Sequence, residues 1–96
     1  MSRYICEGHE YQVTDESNPS ADCFHVKNNY GSHVATLTRP TYDEYWHVCL
    51  AHDHGTELAR WHENDVIDNL LETRAIQAYV AWAYDNDTVE HGESYQ

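Results

Sequence analysis

Positive charge is scarce in this chain. Lys27 is its only lysine, and lysine plus arginine total five against seventeen aspartates and glutamates, a formal net charge of −12. A nucleic-acid backbone or an anionic membrane surface is recognised by Lys and Arg in number, so direct binding to either is disfavoured. Proline and glycine are few, at two and four, and 41% of the residues are hydrophobic, which argues against a disordered or low-complexity chain. No apolar run approaches the roughly 20 residues of a membrane span. The first residues, Met1 to Glu7, lack the apolar stretch of a signal peptide, so a cytoplasmic protein is expected. The glycine-rich nucleotide loops and the G-x-S-x-G nucleophile turn are missing, and no thiol-protease or metallohydrolase spacing takes their place. A binding protein is expected, not an enzyme.

The 96 residues present fit one domain, which residues 1–84 should form, with an acidic, mobile tail over 85–96. The first half alternates. Glu10–Thr14, Cys23–Lys27, His33–Thr38 and Glu44–Leu50 each read as short strands, separated by turn-rich segments. Asn28–Ser32 reads as a hairpin loop, because Asn and Gly tolerate positive φ. After Gly55 the period changes. Thr56 can cap a short helix through His62, and Asn64 a longer one to about Tyr84, with Ile67, Leu70, Leu71, Ala75, Ala78, Tyr79 and Trp82 on one stripe. The expected fold is therefore α+β: a three- or four-stranded antiparallel sheet packed against a long C-terminal helix, with a short helix before it. Its core should hold Phe24, Val26, Val34, Leu37, Trp46, Val48, Leu50, Leu58, Ile67, Leu70, Leu71, Tyr79 and Trp82. Ile76, Val80 and Tyr84 fall opposite that stripe, which implies a second buried side. Either the chain covers it, or it is a surface for a partner or a second copy.

Eight histidines and three cysteines are a high density of metal-type ligands. Two of the cysteines share one pattern, Cys6-Glu7-Gly8-His9 and Cys49-Leu50-Ala51-His52, both C-x-x-H. A tight turn after the first ligand lets both side chains face one ion, and two such pairs make a tetrahedral set suited to one structural Zn²⁺. In these four positions the sequence resembles small zinc-knuckle or zinc-ribbon proteins. That resemblance implies Cys6, His9, Cys49 and His52 as ligands. The alternative is that the cysteines are small buried hydrophobes and the histidines lie on the surface.

The acidity allows two readings: solubility or salt adaptation, or an acidic face that meets a basic protein surface. On a helical wheel Asp65, Asp68 and Glu72 form a stripe, and Glu63 with the turn pair Asp43-Glu44 could lie near it. Carboxylates about 5–6 Å apart on a rigid support approximate phosphates along a strand. In size, charge and lack of catalytic motifs the chain resembles small acidic phage inhibitors of restriction or CRISPR machinery, some of them DNA mimics. That resemblance implies a partner with a basic, nucleic-acid-binding surface. The second function read from the sequence is a zinc-stabilised regulatory domain whose acidity is incidental.

Overall fold

The computed structural model describes residues 2–65 and 70–86, with the backbone alone at His54. Six strands run in sequence order through one antiparallel sheet: β1 (Ser2–Cys6), β2 (His9–Asp15), β3 (Ala21–Lys27), β4 (His33–Pro40), β5 (Tyr45–Leu50) and β6 (Asp53–His62). A 3₁₀ turn, Glu63–Asp65, follows, and then the helix α1, Leu71–Asp85. The α+β class and the C-terminal helix are as the sequence suggests, but the sheet has six strands instead of three or four.

Both added strands have a physical cause. The Cys6–His9 segment closes β1 onto β2 through a two-residue turn, with Glu7 at φ 53° and Gly8 at φ 82°. Positive φ at both central positions matches the twist of the flanking strands, which makes this the favoured short hairpin. Thr56–His62 is not the expected short helix but the second half of β6. Val48 pairs with Ala59 and Cys49 with Glu57, so Leu58 is an extra residue in a β-bulge. The bulge breaks the two-residue alternation and leaves Leu58 and Trp61 three apart, both packed against the core, which imitates a helical spacing.

β1 and β6, the two edges of the sheet, both contact α1. A flat six-stranded sheet spans about 24 Å, at least twice the diameter of a helix. Helix α1 runs along the strands, from Glu72 beside Tyr4 to Tyr84 beside Cys6 and Glu7, so the sheet curls around α1 to bring both edges to it. The curl explains the all-round apolar character of the helix. Leu71, Ala75 and Tyr79 meet the sheet on one side, and Ile76, Val80 and Ala83 are buried with them. Against these lie Tyr11, Val13, Val26, Ala35, Leu37 and Val48, all fully or almost fully buried. Phe24, Val34, Trp46, Leu50, Leu58 and Trp82 are half-buried at the margin of this core. Leu70, expected inside, is 42% exposed, and Ile67 lies outside the described residues. Among the described residues no helix is long and apolar enough to cross a membrane.

The other face of the sheet is polar. Across neighbouring strands it carries the row His25, Thr36, Cys49, Glu57 and the row Cys23, Thr38, His47, Arg60.

Candidate functional site

An antiparallel meander sorts its turns into two ends. The β1–β2, β3–β4 and β5–β6 turns share one end. The β2–β3 and β4–β5 loops and the exit from β6 share the other. At this second end, segments 15–22, 39–45 and 62–65 carry Asp15, Glu16, Asp22, Asp43, Glu44, Glu63 and Asp65, with Arg39 as their one Lys or Arg. The opposite end, segments 6–9, 27–33 and 50–54, carries Glu7 and Asp53 beside Lys27 and four histidines. The fold therefore separates charge along the strand direction, a property of topology that no local sequence window displays.

The acidic end is rigidly built. Asp15, Asn18 and Asp43 each accept a backbone N–H two residues on, from Ser17 (2.9 Å), Ser20 (2.8 Å) and Tyr45 (2.9 Å). Such side-chain-closed turns suit Asp and Asn. The backbone hydrogen bond to Asp15 is the main reason its carboxyl titrates below the usual range. Arg39 organises the centre. Its guanidinium pairs with Asp22 and Glu63 (3.3 Å each), donates to the Asp43 carbonyl (3.0 Å) and lies 5.7 Å from the centre of the Trp46 ring. The Glu63 N–H donates to the Glu44 carbonyl (2.8 Å), which ties the end of β6 to the β4–β5 loop. A groove of about 730 Å³ runs between Pro19, Ser20, Pro40 and the Thr41–Tyr45 run. Tyr42 on its rim is 100% exposed.

Two histidines at this end differ in what their partners demand. Asn64 N–H donates to Nδ1 of His62 (3.1 Å), so Nε2 bears the hydrogen that faces Glu44 (3.3 Å), and a neutral ring satisfies both contacts. His47 has carboxylates on both ring nitrogens, Glu57 at Nδ1 (2.5 Å) and Asp43 at Nε2 (2.8 Å). Only an imidazolium donates from both. Burial alone would lower the His47 pKa, but the hydrogen bonds to Glu57 and Asp43 outweigh it and raise it above the ordinary value. The same bonds hold Asp43 and Glu57 below theirs. Arg60 also pairs with Glu57 (3.1 Å).

Of the acidic residues singled out from the sequence, Asp43, Glu44, Glu63 and Asp65 do come to one end. Glu72 does not. It accepts a hydrogen bond from the Tyr4 hydroxyl, beside the β1 edge, and Asp68 lies outside the described residues. Asp15, Glu16 and Asp22 join them there, because the β2–β3 loop opens at the same end. Strand order was the missing signal. Ile76 and Val80 are 1% and 6% exposed, in the core and not on a surface, because the curled sheet covers both sides of α1. Tyr84 is half-exposed and borders a shallow cavity with Cys6, Gln77 and Val80.

The four Cys and His positions are not brought together. Cys6 and His9 flank the β1–β2 turn, and Cys6 faces the helix. Cys49 lies in β5, opposite Glu57 on the polar face, and His52 in the turn that follows it. His52 borders a different cavity, of about 310 Å³, with Val34, Leu50, Tyr79 and Trp82. Cys6 thus borders Gln77 and Val80 of α1, and His52 borders Tyr79 and Trp82. Among the described residues no three His, Cys, Asp or Glu side chains are grouped as a metal site. All three cysteines are half-buried free thiols, and burial is the first cause raising the pKa of each.

No protein-family model matches this chain, and neither a curated protein nor a solved structure matches it.

Proposed function

We propose that the chain is a non-enzymatic protein-binding inhibitor whose acidic end occupies a basic, nucleic-acid-binding surface of a partner, in the manner of small phage proteins that block restriction or CRISPR machinery. The observation that carries this reading is the segregation of seven carboxylates onto one end of the sheet, around a single buried-side arginine. Acidity serving solubility alone has no need to be sorted this way. A concentrated negative field steers a basic partner into register and raises the association rate. Tyr42, fully exposed in the middle of that field, supplies the kind of aromatic contact that dominates interface energetics. The rigid turns and the Arg39 cluster present these groups with little ordering cost on binding.

Competition by nucleic acid is the deciding test. Immobilised protein should capture a nucleic-acid-binding complex from cells carrying such machinery, and excess duplex DNA should release it. The combined substitutions Asp15→Lys, Glu16→Lys and Glu44→Lys should abolish capture while leaving the circular dichroism spectrum unchanged. Capture that DNA does not disturb, or that survives the triple substitution, overturns the reading.

A further inference from the structure

We propose that His47 is a pH-operated latch on the β4–β5 loop, holding the segment with Tyr42 and Glu44 in place while its ring is doubly protonated and releasing it when one proton leaves. The binding role of that loop rests on the function proposed above. The latch itself rests on geometry alone.

The loop is fastened at two points. At its base Arg39 donates to the Asp43 carbonyl, and the Asp43 N–H donates to the Pro40 carbonyl (2.9 Å). At its other side the Asp43 carboxylate bridges the Tyr45 N–H and Nε2 of His47. The second fastening needs a proton on Nε2 while Nδ1 keeps the one shared with Glu57. A neutral imidazole has a single N–H, so one carboxylate must then face a lone pair. Glu57 retains Arg60 as a cationic partner, through both Nε (3.2 Å) and a terminal nitrogen (3.1 Å). Among the described residues Asp43 has no other side chain in its hydrogen bonds and ion pairs, and Arg60 acts on it only through space. Loss of the proton therefore falls on Asp43, and through it on the loop.

The groups around the ring set the sense of the switch. The loop presents Asp43 to the ring, and β6 presents Glu57 and Arg60. The strand of His47 itself, β5, presents Tyr45 and Cys49, and β4 presents Thr38. Arg60 lies 5.8 Å from the Tyr45 ring centre and is paired with Glu57, which blunts its repulsion of the imidazolium. Burial, then Glu57, raises the Cys49 pKa and so keeps its thiol uncharged. Two carboxylates against one compensated guanidinium leave the protonated ring favoured. The latch is closed at and below the ordinary histidine range and opens as pH rises beyond it.

Nuclear magnetic resonance of the labelled chain tests this without any partner. Both ring N–H groups of His47 should be present near pH 6, and its ring should titrate at higher pH than the ordinary histidine value. The amide signals of Tyr42, Asp43 and Glu44 should move with the same midpoint, while those of β2 and β3 stay still. In Asp43→Asn the turn acceptor remains but the charge is gone. Its loop signals should lose that transition, and His47 should titrate lower. His47→Gln should fix the loop signals at their high-pH positions. Loop amides that ignore the His47 midpoint, or that keep it in Asp43→Asn, overturn the latch. Captured partner should dissociate as wild type is taken from pH 6 to 8.5. Absence of capture at every pH with the loop transition intact overturns the proposed function and leaves the latch standing.

Discussion

His33 and His47 respond to pH with opposite sign. His33 stacks on His25 with ring centres 4.0 Å apart and its Nε2 lies 3.0 Å from the Thr36 hydroxyl. Burial, followed by the neighbouring His25, lowers its pKa. The unfolded chain then binds the proton more readily than the folded one, so the stability His33 contributes is full above the ordinary histidine value and falls as pH drops through the depressed one. His47 is the reverse. Its raised pKa makes its contribution full below the ordinary value and lost as pH climbs through the folded one. Thermal melts separate the two. From about pH 7 to 5, wild type should lose more melting temperature than His33→Gln. From about pH 6 to 9 it should lose more than His47→Gln. Both groups are partly solvated, so each difference should be no more than a few degrees, under about 1 kcal/mol for a domain of this size. Parallel pH curves for a variant and wild type would rule out that histidine's part. Neither effect was legible in the sequence, where the stack depends on the pairing of β3 with β4 and the clamp on the pairing of β5 with β6.

At the scale of elements, what the sequence revealed depended on how regular each element is. β2, β3, β4 and β5 alternate over most of their length, with one irregularity where Val26 and Lys27 meet β4, and were readable to within a few residues, and α1 announced itself through its apolar stripe. β6 was hidden by its bulge at Leu58, and β1 by having only five residues, with Arg3 and Ile5 on its outward side. The C-x-x-H pattern at Cys6 records a hairpin turn, which wants Gly8 for its positive φ. Beyond its two chain neighbours nothing lies within 4 Å of where a Gly8 side chain would begin, so a substitution there costs conformational energy alone. Gly8→Val should destabilise by about 1–2 kcal/mol, the penalty of a left-handed residue. Glu7→Asn should stabilise by a few tenths of that, because Asn-Gly is the favoured pair for this turn. Urea denaturation reads both, and the reverse order would show that the turn has a different conformation. Ile76→Asp tests the curl of the sheet. It should unfold the domain as completely as Leu71→Asp, because both place a charge without a partner in the core. Gln77→Asp, one position on and exposed, should melt within about 0.5 kcal/mol of wild type. A folded Ile76→Asp variant would mean that the helix has an open side.

Considered whole, the molecule carries two electrostatic costs of opposite salt dependence. Like charges gathered at one end repel one another in the folded chain, and unfolding relieves them by moving them apart. Added salt screens that repulsion, since at 0.1 M the screening length is about 10 Å, comparable with the width of two neighbouring strands. The attraction between the acidic end and a basic partner is screened by the same salt. Arg39 offsets the repulsion locally but holds only Asp22, Glu63 and the Asp43 backbone, which leaves Asp15, Glu16, Glu44 and Asp65 without an arginine among their described contacts. The expectation is that melting temperature rises from about 20 to 500 mM NaCl while partner capture falls over the same range. The triple substitution Asp15→Lys, Glu16→Lys and Glu44→Lys removes the concentration of charge, and its melting temperature should be both higher at low salt and flatter with salt. Generic surface acidity predicts instead that any three carboxylates act alike. The control is therefore a reversal of equal size away from the loop end, at Glu7, Glu10 and Glu72. If that control flattens the salt response and abolishes capture as fully, the segregated end has no special role. If only the loop-end reversal does both, stability has been given up at the place where binding is gained.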